Sequence, residues 1–130
     1  MSVIGSLNNE KQGFDTGNDS IVIIQVLQAV VGGRTLDTTG FTPDTIKAGH
    51  VVIVETATGN HKPMPINAGA DAYAALPAGH TIKGVVISSV DKKKPFVGIM
   101  EGGKVNEVAS PFPLTTAIKD ALPLIIFTKD

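Results

Sequence analysis

At 130 residues, with 42% hydrophobic side chains, the chain has the size for one domain with a single substantial core. Eleven basic residues against twelve acidic ones give a formal net charge of −1, so no cationic excess is available to hold a phosphate backbone, and nucleic acid is not an expected partner. Cysteine is absent, which excludes disulfide and thiol chemistry, and no apolar run approaches the roughly 20 residues needed to cross a bilayer.

Residues 1–19 are rich in Asn, Gly, Ser and Asp, with scattered apolar side chains at Val3, Ile4, Leu7 and Phe14. Such a composition cannot build a core of its own. It predicts a flexible arm that orders when it docks, with those four side chains as anchors. The first ten residues lack a basic region followed by a long apolar one, so no secretory signal is expected and synthesis in the cytoplasm is. The body then runs over residues 20–130.

Its first segment, residues 21–31, is dense in β-branched side chains and ends at Gly32-Gly33, which predicts a buried strand, with a helix as the alternative. Residues 34–43 hold turn formers every few positions and leave room for one short strand. A strand follows over residues 50–56, and Pro63 and Pro65 demote the next apolar stretch to a sheet edge or a loop. Residues 67–75 show no period. A further strand is predicted over residues 81–90, then a solvated turn at Lys92-Lys93-Lys94. Residues 96–100 and 105–108 read as a hairpin folded about Gly102-Gly103. Leu114, Ala117, Ile118, Ala121 and Leu122 fall at helical spacing, Pro123 stops that helix, and residues 124–127 make a last strand. Fourteen glycines and eight prolines fit this reading of a mainly β domain of short strands with one short helix near its C-terminus.

Chemistry is sparse in the pattern. Ala48-Gly49-His50 and Ala78-Gly79-His80 both open a β-branched run, the glycine allowing the swing into the strand. If the two turns packed side by side, His50 and His80 could meet, and a carboxylate such as Asp71 could complete a metal or acid/base site. The plainer expectation for His50, His61 and His80 is donation to nearby carbonyls. Ser88 and Ser89 read as mid-strand residues without a nucleophile motif, and Gly32-Gly33 and Gly102-Gly103 read as turns, not phosphate cradles. One Tyr and no Trp leave little material for a sugar-binding platform. Neither an enzyme nor a bound cofactor is expected.

Taken in order, Ala48-Gly49-His50-Val51-Val52, Gly84-Val85-Val86-Ile87, Gly103-Lys104-Val105-Asn106-Glu107, Leu114-Thr115-Thr116-Ala117-Ile118 and Ile125-Ile126-Phe127 resemble the head-decoration proteins of tailed phages, the group typified by the phage lambda decoration protein. The resemblance covers about residues 46–127. It implies a β-tulip or barrel-like body and a non-enzymatic cement on the exterior of the virion. Such proteins sit as homotrimers at local three-fold positions of the expanded shell, with N-terminal arms against the major capsid protein. A head-fibre base with a receptor-binding face is the neighbouring reading, and a small metal-dependent enzyme using His50 and His80 is the reading from another class.

Overall fold

The structure is a computed structural model that describes residues 19–41, 43–67 and 72–129. Val3, Ile4, Leu7, Phe14 and Asp71 therefore lie outside the described residues. In chain order the elements are α1 (Asp19–Val22), β1 (Ile23–Ala29), β2 (Arg34–Thr35), β3 (Thr45–Ile46), β4 (Val51–Glu55), β5 (His61–Pro63), β6 (His80–Val86), β7 (Val90–Asp91), β8 (Phe96–Val97), β9 (Ile99–Asn106), α2 (Thr116–Ala121) and β10 (Ile125–Thr128). The expected class, mainly β with one small helix near the C-terminus, is the observed one.

Six strands form one sheet in the order β1-β9-β6-β4-β5, with β10 also paired to β9. Two short ladders, β2 with β8 and β3 with β7, lie outside it. The β-branched runs sit at its centre and are buried on both faces, which explains why they read as unbroken apolar stretches and not as alternation. Val51, Ile53, Val85 and Met100 face one cluster with Met64, Ile118, Leu122 and Ile125. Their neighbours Val52, Val86 and Ile99 face a second cluster with Leu36, Phe41, Ile46 and Val97. Successive residues of a strand point to opposite faces, so one Val-Val-Ile run supplies both cores.

Three expectations change. Residues 21–31 do not form one buried strand: Val22 ends a single helical turn with its side chain buried, and β1 runs along the sheet edge with five of its seven residues exposed. The strand over residues 81–90 stops at Val86, the chain bends through Ile87 and Ser88, and pairing resumes at β7. Ser89 is consequently buried off the strand, where its Oγ accepts from the Ala48 amide at 3.0 Å.

The third change concerns Gly102-Gly103, which form no turn. Both lie inside β9, an eight-residue strand that pairs with β1 along one side and with β6 and then β10 along the other. Gly103 has φ +146°, and a Cβ there would stand 2.1 Å from the Gln25 carbonyl oxygen, so the glycine exists to let β1 approach. The β9 to β10 pairing is parallel and α2 lies in the crossover, so the expected helix and last strand follow one continuous strand and not the expected hairpin.

The helix itself is only six residues long. Thr115 caps it, its Oγ1 accepting from the Ile118 amide at 3.3 Å, and buried Ile118 pins it to the sheet. Thr115→Ala is expected to lower stability by about 1 kcal/mol, read as a shift in the urea midpoint with an unchanged slope.

Candidate functional site

The two Ala-Gly-His turns open the two strands of one antiparallel ladder, β4 and β6. Antiparallel strands begin at opposite ends. Glu55 pairs with His80 at one end, while the His50 carbonyl accepts from the Val86 amide at the other. At about 3.4 Å per residue the two histidines stand on the order of 17 Å apart. The side-by-side packing that would have made them partners does not occur, and among the described residues no group of three or more His, Asp and Glu side chains could hold a metal ion.

Each histidine has a local role. His50 is 1% exposed, and its Nε2–H donates to the Met64 carbonyl at 2.9 Å. Phe41, Tyr73 and Phe112 surround the ring edge-on, with centroids 5.3, 5.1 and 5.7 Å away. Burial among these rings lowers the His50 pKa to about 4, against the opposing pull of the Met64 carbonyl, so the imidazole is neutral at physiological pH. The same burial raises the Tyr73 pKa, and its hydroxyl oxygen accepts from the Val51 amide at 3.0 Å. The three aromatic residues lie at unrelated sequence positions, so nothing in the sequence pattern announces this box.

His80 sits at the other end of the ladder. Its Nδ1–H donates to the Ala78 carbonyl at 2.9 Å, which leaves Nε2 as an acceptor facing Lys62 Nζ at 3.4 Å. Lys62 also reaches Glu55 at 3.4 Å, and Thr58 donates to the same carboxylate at 2.9 Å. The Thr58 and Lys62 hydrogen bonds hold the Glu55 carboxyl below the usual carboxylate range. The cluster closes the rim of a sheet edge. His61 is half-buried on edge strand β5, and burial lowers its pKa, with Arg34 and Lys83 acting in the same direction.

Two cavities flank this end of the sheet. One of about 450 Å³ is lined by Asp37, Phe41, Lys62, Pro63, Ile66 and His80. The other, about 680 Å³, lies between α2 and β6 and is lined by Met64, Tyr73, Leu76, Ile82, Ile118 and Ala121. Asp37 in the first is held by its own loop, accepting from the Thr39 amide and hydroxyl at 3.1 and 2.7 Å.

A further surface feature is apolar. Ile21, Ile24, Val26, Leu27 and Val31 along and beside β1, with Leu124 and Ile126 at β10, are all exposed. Ladder register places Gln25, Lys104 and Ile126 in one row across β1, β9 and β10. In the adjacent row Gln28 and Leu124 flank Gly102, each about 3.5 Å from where a Cβ would stand. The sequence signal for this face was present in the eleven residues from Ile21 to Val31, which contain no ionisable side chain. Read as evidence of burial, it marks an outer surface instead.

Compared with known proteins, the chain matches no protein-family model and no curated protein at a significant level.

Proposed function

We propose that this chain is a structural virion protein that binds the outside of an expanded phage capsid and stabilises it. Support comes from the ordered motif set over residues 46–127. Its members fall on consecutive parts of one β-rich body: the turn into β4, the second half of β6, the glycine-permitted crossing in β9, the capped helix α2 and the parallel strand β10. No single motif carries the reading; their order does.

In this role the body acts as a knob and residues 2–19 as a clamp on the major capsid protein, with Val3, Ile4, Leu7 and Phe14 as anchors, in trimers at local three-fold sites. Packaged DNA presses outward, and a knob bridging several subunits adds interface where the shell would part. A standard interface of about 1,600 Å² in total, repeated over three attachment points, gives avidity well beyond one contact. Ordering the arm costs on the order of 1 kcal/mol per residue, which its anchors and backbone hydrogen bonds must exceed. An enzyme built on His50 and His80 has no support in a geometry that holds the two rings at opposite ends of a ladder.

Co-sedimentation with expanded capsids lacking this protein tests the reading. The full chain is expected to saturate at three copies per local three-fold site, and a chain without residues 2–19 to lose at least tenfold in affinity. Failure of the full chain to bind would end the proposal, and undiminished binding by the truncated chain would end the clamp.

A further inference from the structure

The apolar face over β1 and β10 belongs to neither core. β1 is an edge strand, and natural edges are commonly guarded by lysine, proline or inward charge. Here the edge carries no charged residue from Ile21 to Val31, and its most exposed side chains are Leu27 at 69% and Val31 at 90%. Two register shifts leave Ile24 and Leu27 as extra residues opposite β9, so apolar side chains occupy the bulged positions of the strand. Leu124 and Ile126 extend the surface across β9 onto β10.

Val26 pairs with Gly103 in the row of buried Ile125 and so faces the core side; the other six large apolar side chains at this exposure present on the order of 500 Å², within the range of a monomer's largest patch. A standard interface takes roughly 800 Å² per partner, a value reached once the intervening Gln25, Gln28 and Lys104 are included. The patch is large enough to hold a partner by itself.

The polar groups on the face indicate which partner. Gln25 and Gln28 are the only polar side chains of β1, and an amide both donates and accepts, so each glutamine is complementary to another glutamine. A partner carrying charges would bury them against alkyl groups without counter-ions. Lys104 is the single cation in the row; it is exposed, and its long stem can lie along the apolar surface with the ammonium at the rim. A neutral, apolar, amide-bearing surface is met best by a second copy of itself.

We propose that copies of this chain associate through the outer face of β1 and β10, Leu27 and Ile126 being buried at the contact. A face that meets itself pairs two copies about a two-fold axis, so the contact goes beyond the three-fold arrangement proposed above and rests on neither that arrangement nor capsid attachment.

Sedimentation equilibrium of the purified full chain measures the mass directly. The wild-type protein is expected to sediment at a multiple of its 13.5 kDa chain mass at micromolar concentration. Leu27→Glu is expected to sediment as a single chain with an unchanged circular dichroism spectrum, an association at least tenfold weaker. Leu76→Glu, at the far cavity beside α2, is expected to assemble like wild type. Because the chain has no cysteine, Leu27→Cys and Ile126→Cys, alone and together, give a second readout that does not depend on tolerating a charge. Their interchain disulfides are expected to form at least tenfold faster than those of Leu76→Cys. A wild-type chain that stays monomeric, a folded Leu27→Glu that still assembles, or cysteines that cross-link no faster than the control would each overturn the proposal. A monomer that nonetheless saturates capsids would overturn this contact and leave the capsid reading standing; an oligomer that ignores capsids would do the reverse.

Discussion

Gly103→Ala is expected to cost about 3 kcal/mol or more of folding stability, while Gly102→Ala, one residue earlier on the same strand, is expected to cost less than about 1 kcal/mol. At Gly103 an added Cβ would lie 2.1 Å from the Gln25 carbonyl oxygen and 3.0 Å from Met100 Sδ, and φ is +146°, a conformation that L side chains rarely adopt. The carbonyl belongs to the backbone of β1, so relief requires moving the strand. At Gly102 the nearest atoms are Leu124 Cβ and Gln28 Cβ at 3.4 and 3.5 Å, ordinary contact. Urea denaturation of the two variants beside wild type makes the comparison. Equal losses would show that backbone entropy, not the approach of β1, governs both positions. Since β1 carries the proposed contact between copies, Gly103→Ala is also expected to weaken self-association, whereas Gly102→Ala is not.

The second large effect is a dependence of stability on pH set by His50. Its pKa is lowered from 6.5 to about 4 in the folded protein, and the groups around the ring, Phe41, Tyr73, Phe112 and the Met64 carbonyl, offer no counter-charge. The unfolded chain therefore binds a proton that the folded chain refuses. Stability is full above about pH 6.5, falls as pH drops from there to about 4, and loses nothing more from this residue below that; the total is about 3 kcal/mol. His61 shifts in the same direction and acts over the same window. Asp37 and Glu55, whose pKa values are also lowered, act in the same sense but lose their contribution only below about pH 4.5, so they do not account for the fall above that pH. Denaturation midpoints measured between pH 7.5 and pH 4.5 should fall steeply for wild type. His50→Phe keeps the aromatic packing but not the proton, and should start lower, through loss of the Met64 hydrogen bond, yet fall much less. Parallel curves for the two proteins would show that His50 is not the titrating group.

Some parts of the site were legible and others were not, for identifiable reasons. The plain expectation for the histidines, donation to nearby carbonyls, describes His50 and His80, because a short polar ring at a strand mouth always has main-chain oxygens within reach. Their conjectured meeting failed because two strands that start with the same turn must start at opposite ends of an antiparallel pair. Turn chemistry is local, whereas pairing direction is not. The hairpin at Gly102-Gly103 failed for a related reason. Two glycines permit a turn, but they equally permit close approach of a neighbouring backbone, and only the presence of β1 and Leu124 beside them distinguishes the two uses.

Legible from the sequence alone was the local and compositional part: a mainly β body of short strands, a strand within residues 50–56, an edge or a loop about Pro63 and Pro65, a helix within residues 114–122 stopped by Pro123, and the turn at Lys92-Lys93-Lys94. These follow from β-branching, proline's missing donor and helical spacing, each of which acts over a few residues. The tertiary structure alone decided which apolar runs are buried. Val51-Val52-Ile53 and Ile23-Ile24-Gln25-Val26-Leu27 are alike in composition, yet one lies at the centre of the sheet between two cores and the other along its rim. Hydrophobicity fixes how strongly a segment favours leaving water, but strand order fixes whether its own chain supplies the cover. For β1 it does not.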